Sequence, residues 1–137
     1  MRFPGRIKKD GKLWMVEIPA FDAFTQGRTK REALAMAEDL IETMAGVRGF
    51  RAAAFPTGGE TFEIGGNRIG VLLALLLRRQ RERQGLTLAQ AAEKLGQRSK
   101  NSYARYEQGR SMPTVEKVEQ LLKAIAPDQR IVWHVAA

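Results

Sequence analysis

The chain has no cysteine, one histidine and no long apolar run, and each scarcity removes a class of function. Without thiols there are no disulfides and no thiolate metal sites. The single histidine, His134, stands near the end with no second histidine at ligand spacing, so it reads as a surface or strand residue. The opening MRFPGRIKKDGK lacks the apolar segment of a signal peptide. The most apolar stretch, residues 69–77, is about half the length that spans a bilayer. Internal repeats and low-complexity tracts are also missing. A cytoplasmic protein is the expectation.

Acid is scarce too. Lys and Arg number 23 against 15 Asp and Glu, a formal charge of +8 over 137 residues. Such a balance favours an acidic partner, nucleic acid being the commonest. The surplus sits mainly in residues 67–137, with 13 basic and 6 acidic side chains. A hydrophobic share of 44% places the chain among globular proteins, and its length allows one or two small domains.

The N-terminal part has a strand rhythm. Phe3, Gly5 and Ile7 alternate with charged residues, and Asp10-Gly11 supplies a hairpin turn. Residues 13–18 read as a second strand ended by Pro19, and residues 23–26 as a third. Thr29 and Glu32 have capping-box spacing and open a helix to about Ala45, with Leu34, Ala37, Ile41 and Met44 on one stripe. Residues 51–59 read as a loop, residues 60–64 as a fourth strand, and Gly65-Gly66 as a linker. The expectation is a small β-β-β-α-β domain over 1–64 and an all-α domain over 65–137, an α+β chain in all.

In the second half, Asn67 can cap a long helix whose start is apolar around its whole circumference and needs cover on several sides. Thr87 and Gln90 form another capping box, and Gly96 marks a helix stop. Ser99 can cap a second short helix carrying Lys100, Asn101 and Arg105, ended near Gly109. Two short helices joined by a Gly-containing turn, the second polar and basic, are how a recognition helix is presented to DNA. Thr114 opens a last helix with Val115, Val118, Leu121, Leu122 and Ile125 on its inner face, and residues 131–135 read as a short strand.

The segments LTLAQAAEKLG and SYARYEQGRSMP resemble the helix-turn-helix of the Xre/Cro repressor family. IPAFDAFTQGRTKREALAMAEDLIETM resembles the N-terminal module of HicB antitoxins, and the order of the two modules is that of full-length HicB proteins. The resemblance implies a degraded ribonuclease H-like fold for the first module. It implies an antitoxin that blocks a HicA-like RNA-cleaving toxin and represses its own operon as a dimer on operator DNA. It further implies that Lys100, Asn101 and Arg105 face base edges, while Tyr103, Tyr106 and Glu107 are structural, Glu107 pairing with Arg81. Leu88 stands where many relatives carry Gln, and the turn at Gln97-Arg98-Ser99 is one residue longer than usual.

Chemistry agrees with that face, since Arg and Lys suit guanine and Asn suits adenine in the major groove. Ser99, Ser102, Thr87, Gln108 and Arg110 are placed for phosphates, and Arg98 for either role. Asp10, Trp14, Glu17, Asp22 and Phe24 are candidates for a toxin-binding surface, because aromatic anchors beside carboxylates suit a basic partner. Glu38 and Glu42 share a helical face, but no strand carries the carboxylate pair a two-metal nuclease needs, so these acids read as solvated surface groups. The chain is expected not to be an enzyme and to need no cofactor. A repressor whose first module senses a small ligand is the alternative.

Overall fold

The computed structural model describes residues 1–136, and its contacts divide the chain into two compact units, Met1–Leu76 and Leu77 onward. The boundary falls inside a helix rather than at residues 64 and 65.

The first unit is α+β. Its strands are β1 Phe3–Asp10, β2 Leu13–Ile18, β3 Ala23–Gly27, β4 Ala52–Gly58 and β5 Thr61–Gly66, and helix α1 is Lys30–Ala45. All pairs are antiparallel, in the order β3-β2-β1-β5-β4. Alternation along each strand sends Ile7, Val16, Ile18, Phe62 and Ile64 to the face that α1 covers with Ala33, Ala37 and Ile41. Leu34 and Met44 are only half-buried, so the inner stripe of α1 is turned toward Ala33 relative to the expected one. The Thr29 hydroxyl accepts the Glu32 amide at 3.0 Å, and the Glu32 carboxylate accepts the Arg28 amide at 3.1 Å. That arrangement fixes the helix start.

Three expectations fail in this part of the chain and in the tail. Residues 51–59 are not a loop: β4 occupies most of them. Its Ala-rich sequence has no apolar alternation, and its strand character comes from pairing with β5 along Ala52–Gly66 to Phe55–Glu63. Pro56 is tolerated because β4 is an edge, with a register shift between Pro56 and Gly58. Gly65-Gly66 is not a linker but the end of β5, paired with Ala53 and Ala52. Residues 131–135 form no strand, because nothing in the chain pairs with them.

The acids of α1 are also not solvated. Glu38 accepts the Ala54 amide at 2.8 Å and Glu42 the Ala52 amide at 3.0 Å. Carboxylates one helical turn apart match amides two residues apart on a strand, about 6–7 Å in both cases. The outward amides of the edge strand are thereby closed to further pairing. Glu38→Ala should cost about 1–2 kcal/mol in urea unfolding, whereas Glu38→Gln, which keeps an accepting oxygen, should cost much less.

Helix α2, Ile69–Arg83, carries the apolar run, and residues 71–77 are all buried. The second unit continues with α3 Leu88–Lys94, α4 Lys100–Glu107 and α5 Val115–Ile125. Its core joins Leu77, Ala91, Ala92, Tyr103, Val118, Leu121, Leu122 and Ile125. Val115, expected on the inner face, is 61% exposed in the first turn of α5. Asp128 accepts Arg83 at 2.7 Å and Gln84 at 2.6 Å, tying the end of this unit to the end of α2. The Arg83 hydrogen bond holds the Asp128 carboxyl below its ordinary pKa.

Candidate nucleic-acid interface

The turn between α3 and α4 is set by local hydrogen bonds at both ends. At the start of α3, the Thr87 hydroxyl accepts the Gln90 amide at 3.1 Å and the Gln90 side chain accepts the Thr87 amide at 2.9 Å. At its end, the amides of Gly96 and Gln97 reach the carbonyls of Glu93 and Ala92, both at 2.9 Å. This is the Schellman pattern, which needs a left-handed residue at Gly96, where φ is +70°. Ser99 then caps α4, its hydroxyl accepting the Asn101 amide at 3.2 Å. The same pattern closes α4, with Gly109 bonded to Tyr106 at 3.2 Å and Arg110 to Arg105 at 3.0 Å.

Between these ends, α4 packs through Tyr103 and Ala104 onto the small side chains of α3, Ala91 and Ala92. A bidentate ion pair locks its last turn. Arg81 Nε donates to Glu107 Oε1 at 2.6 Å and Nη2 to Oε2 at 3.0 Å, with the side chains 13% and 6% exposed. The third arm of Arg81, Nη1, donates to the Leu86 carbonyl at 2.7 Å. One guanidinium thus fixes the C-terminal end of α4 and the loop that leads into α3. The hydrogen bond to Glu107 raises the Arg81 pKa above its ordinary value. Burial, then the Glu107 carboxylate, pushes the Tyr103 phenol up as well, so it stays protonated. Tyr103 is fully buried and Tyr106 half-buried.

With that inner face occupied, the opposite face of α4 carries Asn101, Arg105 and Gln108, all exposed, at i, i+4 and i+7. At about 100° per residue they lie within about 60° of one another, with Ser102 beside them. Lys100 is about 140° round the helix from Arg105, at the first position of α4, and does not join the stripe. Gln108, assigned to phosphates from sequence, shares the face of Asn101 and Arg105; the i, i+4, i+7 spacing is the signal that reveals it. Thr87 and Ser99 spend their acceptor capacity on capping but keep a hydroxyl proton to donate. Arg98, in the turn, and Arg110, just past α4, are exposed cations at either end of the recognition helix.

The sequence-selected set in the first unit is only partly brought together. Glu17 and Phe24 are direct cross-strand partners on the sheet face away from α1, where Phe24 is 62% exposed. Arg6 joins them, its guanidinium 2.9 Å from Glu17. Trp14 has the parity of Val16 and so belongs to the opposite, helix-covered face, half-buried beside its partner Gly27. Asp10 closes β1 at the hairpin, and Asp22 holds a left-handed position before β3, with φ +47°. Phe21, another aromatic of this region, is core and meets Phe3 edge-on at 4.9 Å.

Among the described residues, no three His, Cys, Asp or Glu side chains stand together to hold a metal ion. Among the described residues, too, no helix is long and apolar enough to cross a membrane. No curated protein matches the chain. Residues 72–129 match the family model of a helix-turn-helix domain, so the second unit is a helix-turn-helix and supports DNA as a partner and a role in transcription regulation.

Proposed function

We propose that this chain is a HicB-type antitoxin that binds a HicA-like mRNA-cleaving toxin through its α+β unit and represses its own operon through the helix-turn-helix. The reading makes it a non-enzymatic, cytoplasmic protein acting as a homodimer. Its first module would be of the degraded ribonuclease H-like type. What carries the proposal is an exposed Asn101–Arg105–Gln108 stripe on a braced helix, in a chain whose other unit bears the FTQG segment at the junction of β3 and α1. For the toxin, the open face of the sheet around Glu17 and Phe24 is the surface that combines an exposed aromatic with a carboxylate. A dimer follows from the reach of one recognition helix, which reads few base pairs, so a two-fold operator needs two.

Co-expression with the small reading frame beside the gene tests the antitoxin half. That product should be toxic alone and harmless with this chain, and absence of rescue overturns the assignment. Footprinting of the upstream region tests the other half. There, Arg105→Ala should cost about 1–3 kcal/mol of specific binding and relax one base position. Arg110→Ala should weaken binding to all sequences alike and reduce the slope of affinity against salt by about one charge. Unchanged affinity in both variants would place the DNA elsewhere.

A further inference from the structure

We propose that the tail, residues 131–135, forms a β-ribbon with the same segment of a second copy, antiparallel about a two-fold axis at Trp133. The inference deepens the dimer reading above and rests on it. Its starting point is an exposed apolar segment. Val132 is 73% exposed, Trp133 55% and Val135 95%. No helix or strand includes them, and no hydrogen bond ties the backbone of residues 131–136 to the rest of the chain. Ile, Val and Trp are strand-forming types, and a strand without a neighbour leaves its backbone row open for pairing.

The occupant is identified by self-complementarity. With Trp133 opposite Trp133 of the second copy, Ile131 faces Val135 and Val132 faces His134, each pair occurring twice. Every side chain on one face of the ribbon is then apolar: Ile131, Trp133 and Val135 from both copies. A slip of one residue would bring His134 and Arg130 onto that face, so the register is specified. Residues 131–136 carry no formal charge with His134 neutral, and in this register the two Arg130 side chains lie at opposite ends. No like charges therefore oppose the pairing. A ribbon of two short strands is weak on its own. It is suited to a dimer that is completed when both recognition helices engage one operator.

The absence of cysteine makes the test direct. Ile131→Cys mixed with Val135→Cys, both retaining Trp133, should cross-link under mild oxidation, since facing pairs bring Cβ atoms to about 4.5–5.5 Å, close to disulfide distance. Trp133→Cys should link to itself, and Val135→Cys should not, because its symmetry mate lies four residues along the partner strand. Equal self-linking of Trp133→Cys and Val135→Cys would signify random collision and overturn the ribbon. In sedimentation, the full chain should show a monomer–dimer equilibrium that Trp133→Asp weakens by about tenfold or more. A chain that stays monomeric, or a dimer indifferent to Trp133→Asp, also overturns it. Toxin rescue and operator footprinting report on the proposed function separately, so loss of the ribbon alone leaves them intact. Residue 133 lies outside every helix and strand, and circular dichroism should confirm that each variant is folded.

Discussion

Glu107→Ala should unfold the helix-turn-helix unit at physiological temperature, and with it abolish operator binding. Removing one partner of a buried ion pair costs about 3–5 kcal/mol, because the other charge stays enclosed without compensation. Here that charge is Arg81, 13% exposed and held on its far side by the Leu86 carbonyl. A unit of this size has a small core and little stability to spare. Glu107→Gln should fall in the same direction by less, since an amide keeps one acceptor for Nε but not the opposite charge. The informative variant is the double replacement Arg81→Met with Glu107→Leu. Apolar residues of similar volume remove both desolvated charges, so the double variant should be more stable than either Arg81→Met or Glu107→Leu alone. It should not be fully neutral, because the Leu86 carbonyl loses its donor, worth about 1 kcal/mol. Urea unfolding followed by circular dichroism gives all four values. Simple additivity of the two single changes would mean that the pair contributes no coupling.

What the sequence made legible in this unit was short-range. Thr87 with Gln90, Ser99, Thr114 and Gly96 each act within three or four residues, so the helix ends follow from local chemistry. The outward position of Asn101 and Arg105 was legible for the same reason, since it depends only on where α4 starts and which side Tyr103 occupies. Lys100 shows the limit of that reasoning. The added turn residue makes it the first residue of α4, and one position on a helix moves a side chain by about 100°.

Longer-range relations were hidden. β4 is a strand because β5 lies beside it and because Glu38 and Glu42 reach across from α1, and none of this is written in the run Ala52-Ala53-Ala54. The tail gave the opposite error. Its apolar pattern is that of a strand, but a strand is a relation between two segments, and this chain supplies only one. The candidate toxin surface failed in part for a third reason. Trp14 and Glu17 are three apart and so lie on opposite faces of β2, whereas Glu17 and Phe24 meet only through the β2–β3 register.

Gly27→Ala should be among the most damaging single changes in the first unit, although it adds one methyl group. Gly27 ends β3, and a Cβ there would lie 2.4 Å from the Ala33 amide nitrogen and 2.7 Å from the Ala33 Cα. Those are backbone atoms in the first turns of α1, so no side chain can rotate aside. The helix itself would have to rise from the sheet. Ala33, Ala37 and Ile41, all fully buried, would then lose contact with Val16, Ile18 and Ala23 together. Overpacking usually costs about 1–3 kcal/mol, and a clash borne by backbone belongs at or above the top of that range. Ala33→Gly cannot relieve it, because the contact is with the main chain that every residue carries. That double variant separates this account from simple crowding of side chains: thermal unfolding of Gly27→Ala with Ala33→Gly should show no recovery over Gly27→Ala. Recovery would assign the tight fit to the Ala33 methyl group and remove the close main-chain approach as the reason for glycine in FTQG.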